Sequence, residues 1–227
     1  KNALCLSYGC DLLACTCHGK NLNYLQFLQV IFIFRYICLF RFYAGHKPKL
    51  LICKMVKVFQ NRIPNEFFVT QGSGCSEYAI HPGSYHMALH DAGIAEYNIM
   101  NYSSVLPATS RLVTLDEVDM PPYGSELCTI MAVANGYYGE HVSAGIIYAW
   151  MYKDDTCEEK VGGLVCELAG YFDMEALEER LYTVLHDLHD RTFAQYYLGE
   201  PTVHRESLTI DKRYGTALVA LCFVNFI

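Results

Sequence analysis

The first 54 residues contain no methionine and one acidic side chain, Asp11, against seven lysines and arginines, a net charge of +6. The chain as a whole carries −7, so residues 55–227 carry −13. A domain so poor in positive charge repels nucleic acid and attracts small cations. Long uninterrupted apolar runs are also missing. The most apolar stretch, Leu25 to Phe42, falls short of the ~20 residues that a spanning helix needs. It is broken by Arg35 and Arg41, and a charge at mid-membrane costs roughly 2.5–3.5 kcal/mol. It starts too late, and lacks the small-residue cleavage site, for a secretory signal. Metal spacing is absent from the cysteines as well. Six of the eleven lie in residues 1–54, where Cys15-Thr16-Cys17-His18 has neither the two-residue gap of a zinc knuckle nor a second pair. The other five, Cys75, Cys128, Cys157, Cys166 and Cys222, are expected to be reduced, several of them in a core. The first methionine is Met55. The simplest account makes residues 1–54 an upstream, non-native extension and 55–227 the domain, cytoplasmic and without membrane contact. A genuine membrane-proximal segment is the alternative for 1–54.

From Met55 onward the pattern is that of an ordinary globular domain, with no repeat and no low-complexity run. Phe67 to Thr70 reads as a short strand, and Gln71-Gly72-Ser73-Gly74 as the loop after it. A lone Gly-x-Gly with no Lys-Ser/Thr behind it is poor grounds for phosphate binding. Pro82 to Asp91 predicts a helix stopped at Gly93. Glu96 to Pro107 reads as one strand. Leu127 to Ala134 and Val142 to Trp150 are apolar strands whose linker, with Asn135-Gly136, carries a hairpin signal. Val161 to Leu168 is a further strand. Asp173 is a helix N-cap, and Met174, Leu177, Leu181, Leu185 and Leu188 keep helical spacing in a helix running to about Leu198. Val203 to Ile210 and Tyr214 to Phe226 close the chain as strands. The order implies an α+β domain, its sheet largely antiparallel and its helices outside.

Within this frame one stretch stands apart: Glu96-Tyr97-Asn98-Ile99-Met100-Asn101-Tyr102-Ser103-Ser104-Val105-Leu106-Pro107. On residue chemistry alone, adjacent serines before a proline turn are usually just small polar residues. With Asp91-Ala92-Gly93-Ile94 before it, however, the stretch resembles the self-cleavage region of the pyruvoyl-dependent arginine decarboxylases. Further likeness lies in Gly139-Glu140 with Ser143-Ala144, in Gly163-Leu164-Val165-Cys166-Glu167, and in Tyr214-Gly215 through Phe226, so that it covers residues 67 to about 226. The resemblance implies a four-layer αββα sandwich, a homotrimer or dimer of trimers with active sites between subunits, and a break between Ser103 and Ser104. Ser104 then becomes the pyruvoyl cofactor.

The residues suit that chemistry. The hydroxyl of Ser104 can attack the carbonyl of Ser103, turning amide into ester through an oxyanion. β-Elimination then leaves dehydroalanine, which hydrolyses to pyruvoyl and ammonia. Asn98 matches the family's asparagine, and its NH2 is a suitable oxyanion donor. The alternative for Asn98 is a side chain bonding nearby backbone. Glu167 matches the glutamate that returns a proton to the substrate's α-carbon, and apolar flanks would raise its pKa by desolvation. The alternative for Glu167 is a salt-bridged residue at a strand end. One position departs from the family: where it generally has an aspartate for substrate recognition, this chain has His86. An imidazole cannot pair with a guanidinium as a carboxylate does. His86 and His90, with His81 nearby, have ligand spacing on a helix, but Met87 stands where a zinc-protease motif has glutamate, and no metal is expected. His186 and His189 are expected to be solvated.

The function expected is therefore a self-processing pyruvoyl-dependent decarboxylase, a carboxy-lyase taking a small cationic amino acid, arginine to agmatine first. The alternatives are the same mechanism on another amino acid, a non-catalytic paralogue that binds a ligand or assembles, or a metal-dependent enzyme using the helix histidines.

Overall fold

A computed structural model of the protein describes residues 62–227, together with the backbone of 37–42 and 49–54. The chain divides at residues 61 and 62. In the first part, β1 (Ile37–Phe42) and β2 (Lys49–Lys54) pair antiparallel, Ile37 opposite Lys54. The rest of residues 1–54, and Met55 itself, lie outside the described residues, and with them the expectation about the upstream segment.

The second part is built on two sheets. Its elements are β3 (Pro64–Ser76), α1 (Tyr85–Asp91), β4 (Asn98–Asn101), β5 (Val105–Leu106), β6 (Arg111–Leu112), β7 (Glu126–Tyr137), β8 (His141–Tyr152), β9 (Lys160–Gly170), α2 (Met174–Thr192), β10 (Tyr197–Leu198), β11 (Thr202–Thr209) and β12 (Tyr214–Phe226). Sheet one runs β4-β7-β12-β3-β6, and sheet two runs β10-β8-β9-β5 with β11 also on β8. Only the short β4–β7 and β3–β6 pairings are parallel.

Strand alternation sorts the apolar side chains into three layers. On β12, Val219, Leu221 and Phe223 meet Ile146 and Tyr148 of β8 and Val165 of β9 between the sheets. Leu218, Ala220 and Cys222 face the other way, under Ala88 and Leu89 of α1. On β8, Ile147, Ala149 and Met151 lie under Leu177, Leu181 and Leu185 of α2. β8 and β12 are thus covered on both faces, and both read in sequence as nearly continuous apolar runs for that reason. With one helix outside each sheet, this is the α+β, four-layer αββα sandwich. Among the described residues no helix is long and apolar enough to cross a membrane.

Several local expectations are corrected. Residues 71–74 are not a loop but the continuation of β3. Their glycines serve packing instead: a Cβ on Gly74 would lie 2.6 Å from Met87 Cβ, and one on Gly72 would strike the Ala88 carbonyl, so α1 can approach only bare backbone. The β7–β8 connection is not a hairpin. β7 runs on to Tyr137, and the turn at Tyr138-Gly139-Glu140 carries the chain from sheet one to sheet two, with Gly139 at φ +81° and the Glu140 carboxylate accepting from Tyr137 N at 2.7 Å. α2 is capped as expected, Asp173 accepting from Ala176 N at 2.7 Å. It ends at Thr192, however, and not near Leu198. Phe193 leaves helical geometry, and Tyr197–Leu198 pair with β8 instead. His186 is exposed, but His189 is buried, its Nε2 3.0 Å from the Tyr196 carbonyl that follows the helix.

Candidate active site at the sheet crossing

The stretch that reads as one strand from Glu96 to Pro107 is two. β4 pairs with β7 in sheet one, and β5 pairs with β9 in sheet two. Tyr102, Ser103 and Ser104 are the bridge between them. On the near side Tyr102 N donates to Thr129 O at 2.7 Å, and its ring packs 5.7 Å from that of Phe223. On the far side Val165 N donates to Ser104 O at 3.1 Å. The serine pair is therefore pinned between two hydrogen-bonded anchors, one in each sheet.

At the crossing itself, Val105 N donates to Ser103 O at 2.9 Å, closing a three-residue turn around Ser104. The carbonyl of Ser103 thus already holds a backbone donor. Ser104 Oγ lies 2.7 and 2.8 Å from the two carboxylate oxygens of Glu167 and donates to that carboxylate. Glu167 is opposite Ile146 of β8, and shares the inward face of β9 with Val165 by alternation. Its neighbours Val165 and Cys166 are buried, as their apolar character suggests, yet Glu167 itself is exposed in the single chain. Burial first, and then the Glu167 charge beside it, push the Cys166 thiol up to about 11, which leaves it protonated and without nucleophilic character.

The predicted site residues do not all converge. Ser103, Ser104 and Glu167 do. Asn98 lies at the start of β4, exposed, and its Nδ2 donates to Gly124 O at 2.6 Å, within the Pro122–Ser125 turn. His86 is exposed on α1, which covers the face of sheet one turned away from sheet two. The donor that sequence reasoning missed is the Val105 N–H. A main-chain group carries no residue-type signal, and only the turn geometry displays it. Among the described residues no three His, Cys, Asp or Glu side chains gather as a metal set. A surface cavity of about 400 Å³ opens elsewhere, between β3, α1 and the β11–β12 turn, lined by Ser73, Cys75, His90, Asp91 and Asp211 among others. It contains neither Ser104 nor Glu167. Beside it, burial above all, with the charge of Asp91 adding, raises the pKa of Glu206.

Residues 66–227 match the family profile described as pyruvoyl-dependent arginine decarboxylase, and the chain belongs to that family of carboxy-lyases. The family name implies a pyruvoyl prosthetic group. Relatives similar to the chain are the pyruvoyl-dependent arginine decarboxylases of Picrophilus torridus, 29% identical over 135 residues (56% of this chain, 71% of the relative), and of Chlamydia abortus, 28% identical over 188 residues (74% and 94%). That of Thermoplasma volcanium is 34% identical over 119 residues (46% and 64%).

Proposed function

We propose that the chain cuts itself between Ser103 and Ser104, carries the resulting pyruvoyl group at position 104, and decarboxylates arginine to agmatine and CO2. The observation that carries this reading is the pair of contacts at the crossing: Ser104 Oγ on the Glu167 carboxylate, and Val105 N–H on the Ser103 carbonyl. The first supplies a base for the attacking hydroxyl, and the second a donor for the oxyanion that forms.

The cut proceeds as Oγ attacks the Ser103 carbonyl carbon and its proton passes to Glu167. The C–N bond to Ser104 breaks, the amine takes up a proton, and an ester joins the two serines. Loss of the Ser104 α-proton then expels the Ser103 carboxylate. Water finally replaces the nitrogen as ammonia, leaving a ketone. Residue 104 suits a pyruvoyl group, since its own carbonyl is held by Val165 N and its β-position lies against Glu167. When present, that group supplies a carbonyl that condenses with the substrate amine and takes up the electrons left as CO2 departs. Glu167 is within reach of this position and returns the proton. Glu167 is exposed in the single chain, and the assembly we infer is a homotrimer or dimer of trimers in which a neighbouring subunit covers it. The setting we infer is the cytoplasm, with a small cationic amino acid as partner.

A second substrate reading, the same mechanism on a less basic amino acid, requires a neighbouring subunit to bring the exposed His86 to the substrate. Denaturing mass spectrometry of the purified protein tests the cut: two chains are expected, the second beginning with a blocked residue 104, and Ser104→Ala should remain whole. A wild type that stays intact on prolonged incubation would falsify the cofactor assignment. CO2 release from an amino-acid panel then tests the substrate. If His86 meets the distal end of the substrate, His86→Asp raises arginine turnover. Efficient arginine turnover by wild type that His86→Asp does not improve would remove His86 from the specificity site.

A further inference from the structure

Between Ser104 and Ser110 the chain is tied to sheet two by a contact that the chemistry above does not use. Lys160, the first residue of β9, points its Nζ over the ring of Trp150, 3.6 Å from the centroid, and donates to the Ser110 carbonyl at 2.8 Å. Among the described residues no carboxylate pairs with it. The ring and the carbonyl are what this half-buried cation has, and its burial lowers its pKa from the usual lysine value. Trp150 is held in turn by the core, its ring 6.2 Å from that of Phe67. It abuts Gly163, where a Cβ would lie 3.0 Å from the indole and 3.1 Å from Leu106 Cβ. Ser110, buried, closes the far end: its N donates to Pro107 O at 3.0 Å and its Oγ to Pro64 O at 2.9 Å.

We propose that Lys160 is a positioning residue for the reaction, clamping the 104–110 segment onto Trp150 so that residue 104 stays against Glu167 once the chain is cut. This rests on the self-cleavage reading above. Before the cut, Ser104 is restrained from both sides, through Tyr102 in sheet one and β5 in sheet two. Afterwards the Tyr102 side no longer reaches it. Residue 104 is then a chain end, held by Val165 N, by the two residues of β5, and by the clamp at Ser110. The clamp should therefore matter more for turnover than for cleavage.

The test uses the full chain with Lys160→Met, Lys160→Arg and, should the methionine variant fail to fold, Trp150→Phe, which keeps a ring but a weaker seat for a cation. Lys160→Met should lower kcat for CO2 release by about ten- to a hundredfold, the scale of one lost charge-assisted hydrogen bond, while KM stays close to wild type. Self-cleavage should slow by less than roughly threefold, because the uncut chain is still anchored at both ends. Lys160→Arg should restore kcat, since a guanidinium both stacks on indole and donates. Trp150→Phe should give a smaller kcat loss at unchanged KM. Because Trp150 is the single tryptophan of the chain, its emission reads the clamp directly: altered in Lys160→Met and recovered in Lys160→Arg. Hydrogen exchange of the 104–110 peptide should quicken in Lys160→Met, less in Trp150→Phe, and not in Lys160→Arg. An unchanged kcat in Lys160→Met, or an arginine variant as impaired as the methionine one, would overturn the proposal. If the wild type is never cut, the cofactor reading fails by itself. Exchange then decides the clamp: quickened 104–110 amides in uncut Lys160→Met support it, and unchanged ones refute it.

Discussion

Replacing Glu167 by glutamine separates the two duties that the geometry assigns to this carboxylate. In the uncut chain it accepts from Ser104 Oγ with both oxygens, at 2.7 and 2.8 Å. Glutamine keeps one carbonyl oxygen as acceptor and loses the charge. A hydrogen bond to a charged group contributes roughly 1.5–3 kcal/mol and a neutral one roughly 0.5–1.5, a difference of about 1 kcal/mol, or around fivefold in rate. Cleavage of Glu167→Gln should thus slow by about that factor and still reach completion, since water can take the hydroxyl proton in place of the carboxylate. Turnover is different. An amide carries no proton to give to the α-carbon, and losing a positioned acid costs about 10²–10⁴-fold. The assay is paired: denaturing mass spectrometry over time for the cut, and CO2 release from the fully cut protein for turnover. A cut Glu167→Gln that releases CO2 at the wild-type rate would place the proton donor elsewhere. A variant that never cuts would show that the carboxylate is indispensable as the base, and that the fivefold figure rests on the wrong step.

Val105→Pro removes the N–H that bonds the Ser103 carbonyl and should slow cleavage by about 10²–10³-fold, as loss of one oxyanion donor does. Asn98→Ala, whose amide is engaged with Gly124 O, should slow it less; mass spectrometry over time ranks the two, and the reverse ranking would hand the oxyanion role to Asn98. Glu206 has its pKa raised from the usual 4.5, by burial first and by Asp91 in addition, so the native state binds its proton more tightly than the unfolded chain. Its stabilising contribution is therefore complete below the unfolded value and is lost as pH rises through the folded one. Glu206→Gln should narrow the Tm difference between about pH 4 and about pH 7, and a variant whose Tm falls equally at both would contradict this.

What was legible in the sequence follows the layers. β8 and β12 lie between two covers, and a doubly covered strand must be apolar along its length, so Val142–Trp150 and Tyr214–Phe226 could be read directly. α2 could be read from Leu177, Leu181 and Leu185, which are fully buried at four-residue spacing. Its end could not, because Tyr197 and Leu198 leave the helix for a pairing with Met151 and Tyr152 that local pattern does not announce. Gly72 and Gly74 misled for a related reason. Glycine permits a loop, but it equally permits a helix to lie on a strand, and the choice belongs to α1 and not to the tetrapeptide. The hairpin expected between β7 and β8 failed because each strand's edges were already taken, β7 by β4 and β12, β8 by β9 and β11. In the site, Ser104 and Glu167 were within reach of sequence reasoning, since both lie in the stretches that carry the family likeness, residues 96–107 and 163–167. The Asn98 contact was not, because it depends on how the Pro122–Ser125 turn folds back.

The place of the serine pair has a physical logic of its own. A hydroxyl can attack the carbonyl before it only if the backbone leaves the extended form, in which the ladder would occupy that carbonyl with a neighbouring strand. Within a sheet, Ser103 O would be such a ladder acceptor, and opening it would cost a hydrogen bond. Where the chain passes from sheet one to sheet two, no neighbouring strand claims the Ser103 carbonyl. The carbonyl is instead turned onto the N–H two residues on, and the hydroxyl onto Glu167. The anchors on either side, Tyr102 N to Thr129 O and Val165 N to Ser104 O, keep this short segment from relaxing into either sheet. A crossing between two rigid sheets thus supplies what neither a loop nor a strand would: a turn outside the ladder, held on both sides.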